Sequence, residues 1–338
     1  MTQTIQNRQF RLAQRPHGLP EPSDWELTTE ALPAPDDGEV QVAIEYISLD
    51  PAMRGWMNAG KSYIEPVAIG DVMRAGTVGT VLESAHPDFA TGDAVTGNLG
   101  VQTHATVRGE QLRTVDTSLA PLPTYLGALG MPGMTAYFGL LDVGAAEAGD
   151  TVLVSAASGA VGALVGQIAK HKGCRTVGIA GGDRKCAYIV DELGFDAAID
   201  YKAGNVHADI REHCPDGVDV YFDNVGGEIL DAALACLRRN ARVVICGAIS
   251  QYNATESMYA PKNYMSLLVN RARMEGFVVF DYGERYGEAA RALAQWIASG
   301  DIKHREDIVE GFEQFPETLL RLFSGDNFGK LVLKIEQS

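Results

Sequence analysis

The hydrophobic rhythm of the chain changes near residue 125. Before that point, short apolar runs rich in β-branched residues alternate with Pro and Gly turns: Val40-Gln-Val-Ala-Ile-Glu-Tyr-Ile47, Thr77-Val-Gly-Thr-Val-Leu82 and Asp93-Ala-Val-Thr96. This spacing predicts a small, strongly bent β-structure with Pro16–Pro22 and Pro33–Pro35 in loops. From about Thr124 the pattern alternates between helix and strand lengths. It predicts helix Thr124–Asp142, strand Thr151–Val154, helix Ala160–Lys172, strand Arg175–Ile179 and helix Arg184–Leu193. Strand Ala197–Asp200, helix Val206–His213, strand Val218–Phe222 and helix Glu228–Leu237 follow, then strands Ala241–Cys246 and Phe277–Phe280. A helix over Tyr286–Ser299 leads into a polar linker. Gly329–Ile335 reads as a strand that could return to the first domain. Repeated βαβ alternation implies an α/β class with a doubly wound parallel sheet, helices on both faces.

One strand-to-helix junction carries chemistry. The apolar run Thr151–Val154 turns at once into Val161, Leu164, Val165, Ile168 and Ala169, which recur at helical spacing. The turn between them, Ala157-Ser-Gly159-Ala160-Val161-Gly162, is the A-x-G-x-x-G form of a dinucleotide fingerprint. Gly159 would let the backbone approach a pyrophosphate, and Gly162 would let the helix pack closely on the strand. The N–H groups at the helix start favour an anion. The second strand ends in Ile179-Ala-Gly181-Gly182 with no carboxylate at its tip, and Arg184 and Lys185 follow Asp183. Two cations beside a small-residue turn suit an adenosine 2′-phosphate, so NADPH is expected over NADH, with Asp183 dissenting. Phe222-Asp-Asn224-Val-Gly-Gly227 and the loop from Cys246 to Asn253 follow later strands on the same rim. They would line a cofactor, or serve as caps and turns.

Composition narrows the classes. The 338 residues leave room for two domains, and a net charge of −16 makes nucleic acid and anionic membrane surfaces poor partners. No run of 18 apolar residues predicts a membrane span, and the polar start of the chain has no secretory core. The five cysteines, Cys174, Cys186, Cys214, Cys236 and Cys246, form no C-x-x-C pair, so a reducing, cytoplasmic setting is expected. The seven His residues form no H-x-x-x-H or H-E-x-x-H pattern, so no metal is expected.

Several segments share their order with one family. They are Ser48-Leu-Asp-Pro-Ala-Met-Arg54, Gly130-Met-Pro-Gly-Met-Thr-Ala-Tyr-Phe-Gly139, Ala156–Gly162 with Gly166-Gln-Ile-Ala-Lys170, and Asp223-Asn-Val-Gly-Gly227. Cys246-Gly-Ala-Ile-Ser-Gln-Tyr-Asn253, Met274-Glu-Gly-Phe-Val-Val279 and Asn327-Phe-Gly-Lys330 complete the set. With them the chain resembles the medium-chain dehydrogenases/reductases, and within them the zinc-independent alkenal/one reductases. That branch includes prostaglandin reductases, leukotriene hydroxydehydrogenases, plant double-bond reductases and bacterial curcumin reductase. Asn7-Arg-Gln-Phe-Arg-Leu-Ala, Arg15-Pro-His-Gly and Tyr63-Ile-Glu-Pro-Val lean towards the curcumin-reductase subgroup.

The resemblance implies a GroES-like β domain from residues 1–125 and 300–338, a Rossmann NADPH-binding domain over 126–299, and a homodimer. It implies that Lys185 holds the 2′-phosphate, with Gly181 and Tyr201 on the adenosine side. Gly159, Ala160, Val161 and Gly162 would meet the pyrophosphate. Asn224, Cys246, Gly247, Ala248, Ile249, Ser250, Tyr252, Phe277, Val278, Val279 and Asn327 would line the rest, with Met131 and Thr135 near the nicotinamide. The zinc pattern of alcohol dehydrogenases of this fold is missing: no Cys precedes Cys174 and no Gly-His-Glu occurs.

The expected reaction is reduction of the C=C bond of a small-molecule enone or enal by NADPH. Hydride would reach the β-carbon, and a donor would stabilise the enolate oxygen. Tyr252 is the first candidate donor, with Tyr63 and Tyr264 as further catalytic or pocket candidates. Arg54 would meet an acidic substrate tail or brace its own loop. Ala52 and Val269 stand where relatives carry Tyr, which implies a wider or less polar pocket. A quinone reductase with the same cofactor and a non-catalytic NADPH sensor are the alternatives.

Overall fold

A computed structural model describes residues 5–336. The chain forms two compact units, one running to Leu126 and resuming at Glu306, the other spanning Gly127–Arg305. In the first unit, β1 (Gln6–Leu12) and β2 (Trp25–Ala31) form an antiparallel ribbon. Then come β3 (Glu39–Ser48), α1 (Ala52–Trp56), β4 (Thr77–Ser84), β5 (Ala94–Gly97), β6 (His104–Arg108) and β7 (Leu112–Thr114). The bend expected of this region has a local cause. The β3–β4 register shifts twice, and Gly79 lies so close to Ala43 that a side chain would overlap its carbonyl oxygen.

The second unit begins with α2 (Met131–Phe138), β8 (Thr151–Ser155), α3 (Gly162–His171), β9 (Arg175–Ala180), α4 (Asp183–Ala187) and β10 (Ala197–Asp200). It continues with α5 (Val206–His213), β11 (Val218–Asp223), α6 (Gly227–Leu234), β12 (Leu237–Ile245), α7 (Met265–Asn270), β13 (Arg273–Gly276) and α8 (Tyr286–Ser299). Its sheet runs β10-β9-β8-β11-β12-β13, all parallel. The winding direction reverses between β8 and β11, which is where such sheets hold ligands. The chain then supplies β14 (Glu306–Glu310), α9 (Phe315–Ser324) and β15 (Lys330–Lys334) to the first unit. There β15 pairs antiparallel with β3 in a seven-stranded sheet. Phe315 of α9 fills the core, with Trp25 edge-on at 4.9 Å and Phe10 at 5.2 Å.

Four expectations need correction. The helix expected over Thr124–Asp142 is three pieces: a 3-10 turn at Leu122–Leu126, α2, and a π turn at Gly139–Val143. Gly127 and Gly130 interrupt the run, and Pro132 restarts it where its missing N–H is harmless. The sixth strand is Arg273–Gly276; Phe277 follows it as part of the rim, and Val279–Arg285 is a 3-10 helix. The apolar run was misleading because this edge strand is exposed, whereas Phe277 packs edge-on against Phe222 at 6.5 Å. The helix after β11 stops at Leu234, and Leu237 already opens β12, with Asn240 at φ +65° in its bulge. The polar linker contains β14 and α9. Among the described residues no helix is long and apolar enough to cross a membrane.

Candidate cofactor and active site

The glycine turn joins β8 to α3 at the carboxyl edge of the sheet. Ala156 takes φ +50°, which folds the chain back sharply. A side chain on Gly162 would overlap the Ala156 carbonyl oxygen, so only glycine lets α3 start this close to the strand. At Gly159 a Cβ would meet a single atom, the Ala156 oxygen at 3.2 Å; the face is otherwise open. The Ala163, Leu164 and Val165 N–H groups of α3 bond back to the Gly159 and Val161 carbonyls, so the turn before them is the part left to face an anion.

The end of β9 supplies the next part. Gly182 adopts φ +87° and donates its N–H to Asp200 Oδ1 at 2.7 Å; Lys202 N–H reaches the same oxygen at 2.9 Å. The Tyr201 ring lies against Gly181, where a Cβ would come within 2.8 Å of it. Lys202, not singled out from the sequence, places its ammonium 5.9 Å from the centre of that ring. Asp183 is the first residue of α4, where an acid complements the helix dipole; Arg184 and Lys185 are the next two. The open glycine face and the cations near a strand whose own last residues carry no carboxylate fit a phosphorylated dinucleotide; the Asp200 carboxylate beside that tip is engaged by the Gly182 and Lys202 N–H groups.

Two further loops are joined through Asp223, which sequence reasoning also missed. Its buried carboxylate accepts hydrogen bonds from Tyr221, Ser155, Val225 and Gly226. Desolvation pushes its pKa above the usual carboxylate value, against the pull of these donors. Asn224 is fixed to Ser155 by its N–H at 2.9 Å and its side-chain amide at 2.8 Å. The loop from Cys246 through Gly247, Ala248, Ile249 and Ser250 ends at Tyr252. The Tyr252 hydroxyl accepts the Ala248 N–H at 3.1 Å and sits beside Gly247, where a Cβ would be 2.9 Å away. Burial pushes the Cys246 thiol up to about 12, which keeps it protonated.

Other candidates fall in several places. Thr135 donates to the Met131 carbonyl at 2.8 Å, one turn back in α2, and Met131 is exposed. Gly139 brings the end of α2 onto Phe222 and Phe277, each of which a Cβ would approach within 2.7 Å. Val278 and Val279 continue from Phe277 into the 3-10 helix, and exposed Tyr264 precedes α7. Arg54, Tyr63 and Asn327 belong to the first unit. Arg54 is 4 % exposed and holds Gly18 O at 2.9 Å, Pro16 O at 3.1 Å and Asn58 Oδ1 at 2.7 Å. Of its two expected roles, these contacts are those of the bracing one. Tyr63 is exposed and accepts the Trp56 ring N–H at 3.2 Å; Asn327 donates to Gly329 O at 3.3 Å.

Residues 8–115 match the family described as the N-terminal domain of oxidoreductase, and residues 160–297 match zinc-binding dehydrogenase. Among the described residues no group of three or more His, Cys, Asp or Glu side chains could hold a metal ion. The chain is 44% identical over 338 residues to the NADPH-dependent curcumin reductase of Escherichia coli, covering 98% of each protein. It is 40% identical over 343 residues to the NADP-dependent 2-alkenal reductase of Nicotiana tabacum, covering both completely. The crystal structure of CurA from Vibrio vulnificus in complex with NADPH superposes with a TM-score of 0.93 at 45% identity, over 98% of this chain and 100% of that one. The glycine turn, the cationic tip of the second strand and these full-length likenesses agree: the chain is a medium-chain dehydrogenase/reductase of the NADP-dependent alkenal and curcumin reductase branch.

Proposed function

We propose that the protein reduces the C=C bond of α,β-unsaturated ketones and aldehydes with NADPH. The observation that carries this reading is Tyr252: its phenol is fixed by the Ala248 N–H on the rim that also bears the glycine turn. NADPH, when bound, supplies a hydride to the β-carbon of the substrate. Gly159 to Gly162 hold its pyrophosphate, and Lys185 with Arg184 holds its 2′-phosphate. Tyr252 donates a hydrogen bond to the substrate carbonyl oxygen, where negative charge develops as the enolate forms. The α-carbon then takes a proton from solvent. The first 173 residues contain no Cys, so the ligand pattern of zinc alcohol dehydrogenases is missing and hydrogen-bond donors stabilise that oxygen.

The test is product analysis with NADPH and 4-phenylbut-3-en-2-one. Saturated ketone is expected; allylic alcohol would mean carbonyl reduction and overturn the reading. Turnover confined to quinones would make the protein a quinone reductase. Tyr252→Phe should lower kcat by roughly 100- to 1,000-fold, the scale of one lost oxyanion donor, with NADPH KM little changed. Lys185→Ala should raise KM for NADPH by about tenfold and leave NADH alone. We further propose that two copies pair along the exposed edge strand β13. The odd number of cysteines, all free thiols, favours a reducing cytoplasmic compartment.

A further inference from the structure

The proposed reaction gives no role to the most deeply buried carboxylate on the rim. Asp223, the last residue of β11, is 0 % exposed. A buried charge without partners is costly, and this one is surrounded by donors rather than cations. Its Oδ1 accepts the Tyr221 hydroxyl at 2.7 Å, the Ser155 hydroxyl at 3.1 Å, and the Val225 and Gly226 N–H groups at 3.0 Å each. Its Oδ2 accepts the Gly226 N–H at 3.1 Å. The turn Asp223–Gly227 is thus folded around its own first side chain, with Gly226 at φ +70° and Gly227 at φ +59°.

What this turn presents is a row of carbonyls, and the Tyr252 loop hangs from them. Asp223 O receives the Cys246 and Gly247 N–H groups at 2.9 and 3.1 Å. Asn224 O receives the Ile249 N–H at 3.2 Å. Val225 O receives the Ser250 N–H at 3.2 Å and the Ser250 hydroxyl at 2.6 Å. Within the loop, the Ala248 N–H reaches the Tyr252 hydroxyl. Hydrogen bonds joined by short stretches of backbone therefore connect the buried carboxylate to the phenol, and a side branch through Ser155 fixes Asn224. Networks of this kind hold a geometry rather than add contacts to a ligand.

We infer that Asp223 is a positioning residue: its carboxylate sets the turn that places Asn224 and, through the loop 246–252, the Tyr252 hydroxyl. The Tyr252 arm of this inference rests on the reading of Tyr252 as the donor to the substrate oxygen.

Asp223→Asn is the mildest probe. An amide with its oxygen at the Oδ1 position keeps four of the contacts and loses the charge and the Oδ2 contact. The full chain is compared as parent, Asp223→Asn, Tyr252→Phe and the double variant, with NADPH and 4-phenylbut-3-en-2-one. For each, kcat, both KM values, the NADPH Kd by fluorescence titration and the melting temperature are measured. Asp223→Asn should lower kcat by roughly tenfold in the parent, and by less than about threefold when Tyr252 is already Phe. It should also weaken NADPH by several-fold through Asn224. An equal loss of kcat in both backgrounds, or a lower melting temperature with kcat and Kd unchanged, would overturn the inference and leave Asp223 a fold-stabilising residue. If Tyr252→Phe is as active as the parent, the Tyr252 reading has failed by itself. The NADPH Kd then decides for Asp223: several-fold weaker binding upholds its placement of Asn224, and an unchanged Kd overturns it. Should Asp223→Asn fail to fold, Ser155→Ala removes one donor from the same carboxylate and carries the same cycle, with a two- to fivefold effect expected in the parent.

Discussion

At the scale of single residues, burial separates functional from structural charges, and a linear sequence does not display burial. The end of the second strand, with Gly181, Gly182 and the cations after it, can be located in the sequence because the fingerprint fixes where that strand lies. Asp223 and Lys202 do not stand out, because each reads as an ordinary polar residue beside a motif. Arg54 shows the converse: a cation in a motif invites a substrate role, and only the structure displays its guanidinium buried among Gly18, Pro16 and Asn58. Lys330 makes the point most sharply. It is 3 % exposed and holds the Leu49 carbonyl at 2.8 Å and Asp50 Oδ1 at 2.6 Å, while the Ser48 hydroxyl donates to the other Asp50 oxygen. Two separate motifs, Ser48–Arg54 and Asn327–Lys330, thus meet in one buried ion pair. Lys330→Met should strand the Asp50 charge. Because Asp50 is partly exposed, the destabilisation should lie at the lower end for a broken buried pair, about 3 kcal/mol. The urea midpoint of the first unit checks it. Adding Asp50→Asn should recover part of the loss; no recovery would mean that packing of the lysine stem, not charge, dominates.

At the scale of elements, periodicity located the βαβ units wherever each helix has one apolar stripe. α3 and α8 lie within two residues of their expected bounds because Leu164, Val165 and Ile168, or Ala289 and Leu293, recur at helical spacing. α9 was hidden although Phe315, Leu319 and Leu322 form a buried stripe. Pro316 at its start and the charged residues around it make the segment read as a linker. The π turn after α2 was unreadable for another reason: it follows from Gly139 meeting two aromatic rings that are distant in sequence. The glycines of α3 can be ranked by what lies opposite. Gly166 faces the Phe195 ring, a side chain that can be replaced, whereas Gly162 faces the backbone of its own turn. Gly166→Ala should therefore destabilise by about 1–3 kcal/mol and be relieved by Phe195→Leu. Gly162→Ala has no such remedy. It should displace the start of α3 and weaken NADPH by tenfold or more, read by fluorescence titration. NADPH affinity unchanged in Gly162→Ala would remove the helix start from the cofactor site.

At the scale of the whole molecule, the fold class was legible because strand order follows from connectivity: right-handed βαβ crossovers with one reversal generate the order β10-β9-β8-β11-β12-β13. The return of the chain end as β15 was likewise foreshadowed by the apolar run Gly329–Ile335. What strand order leaves open is the edge. β13 ends the sheet with all four residues exposed, and α7 just before it exposes Leu268 at 71 % and Val269 at 65 %. A bare parallel edge beside apolar side chains is a liability unless a partner covers it, and a second copy of the same edge is self-complementary about a twofold axis. Charge opposes this association, because each chain carries −16. That repulsion reaches about 30 Å at 0.01 M salt but only about 8 Å at 0.15 M. Light scattering should therefore give twice the 36.2 kDa chain mass at 0.15 M salt and a falling mass as salt is withdrawn at micromolar protein. Leu268→Asp with Val269→Asp, both at exposed positions, should leave the circular dichroism spectrum intact and yield the single-chain mass. A parent that stays monomeric at every salt and protein concentration would show that β13 is a tolerated free edge. Its fully exposed, Arg- and Glu-containing face would then be its protection against pairing.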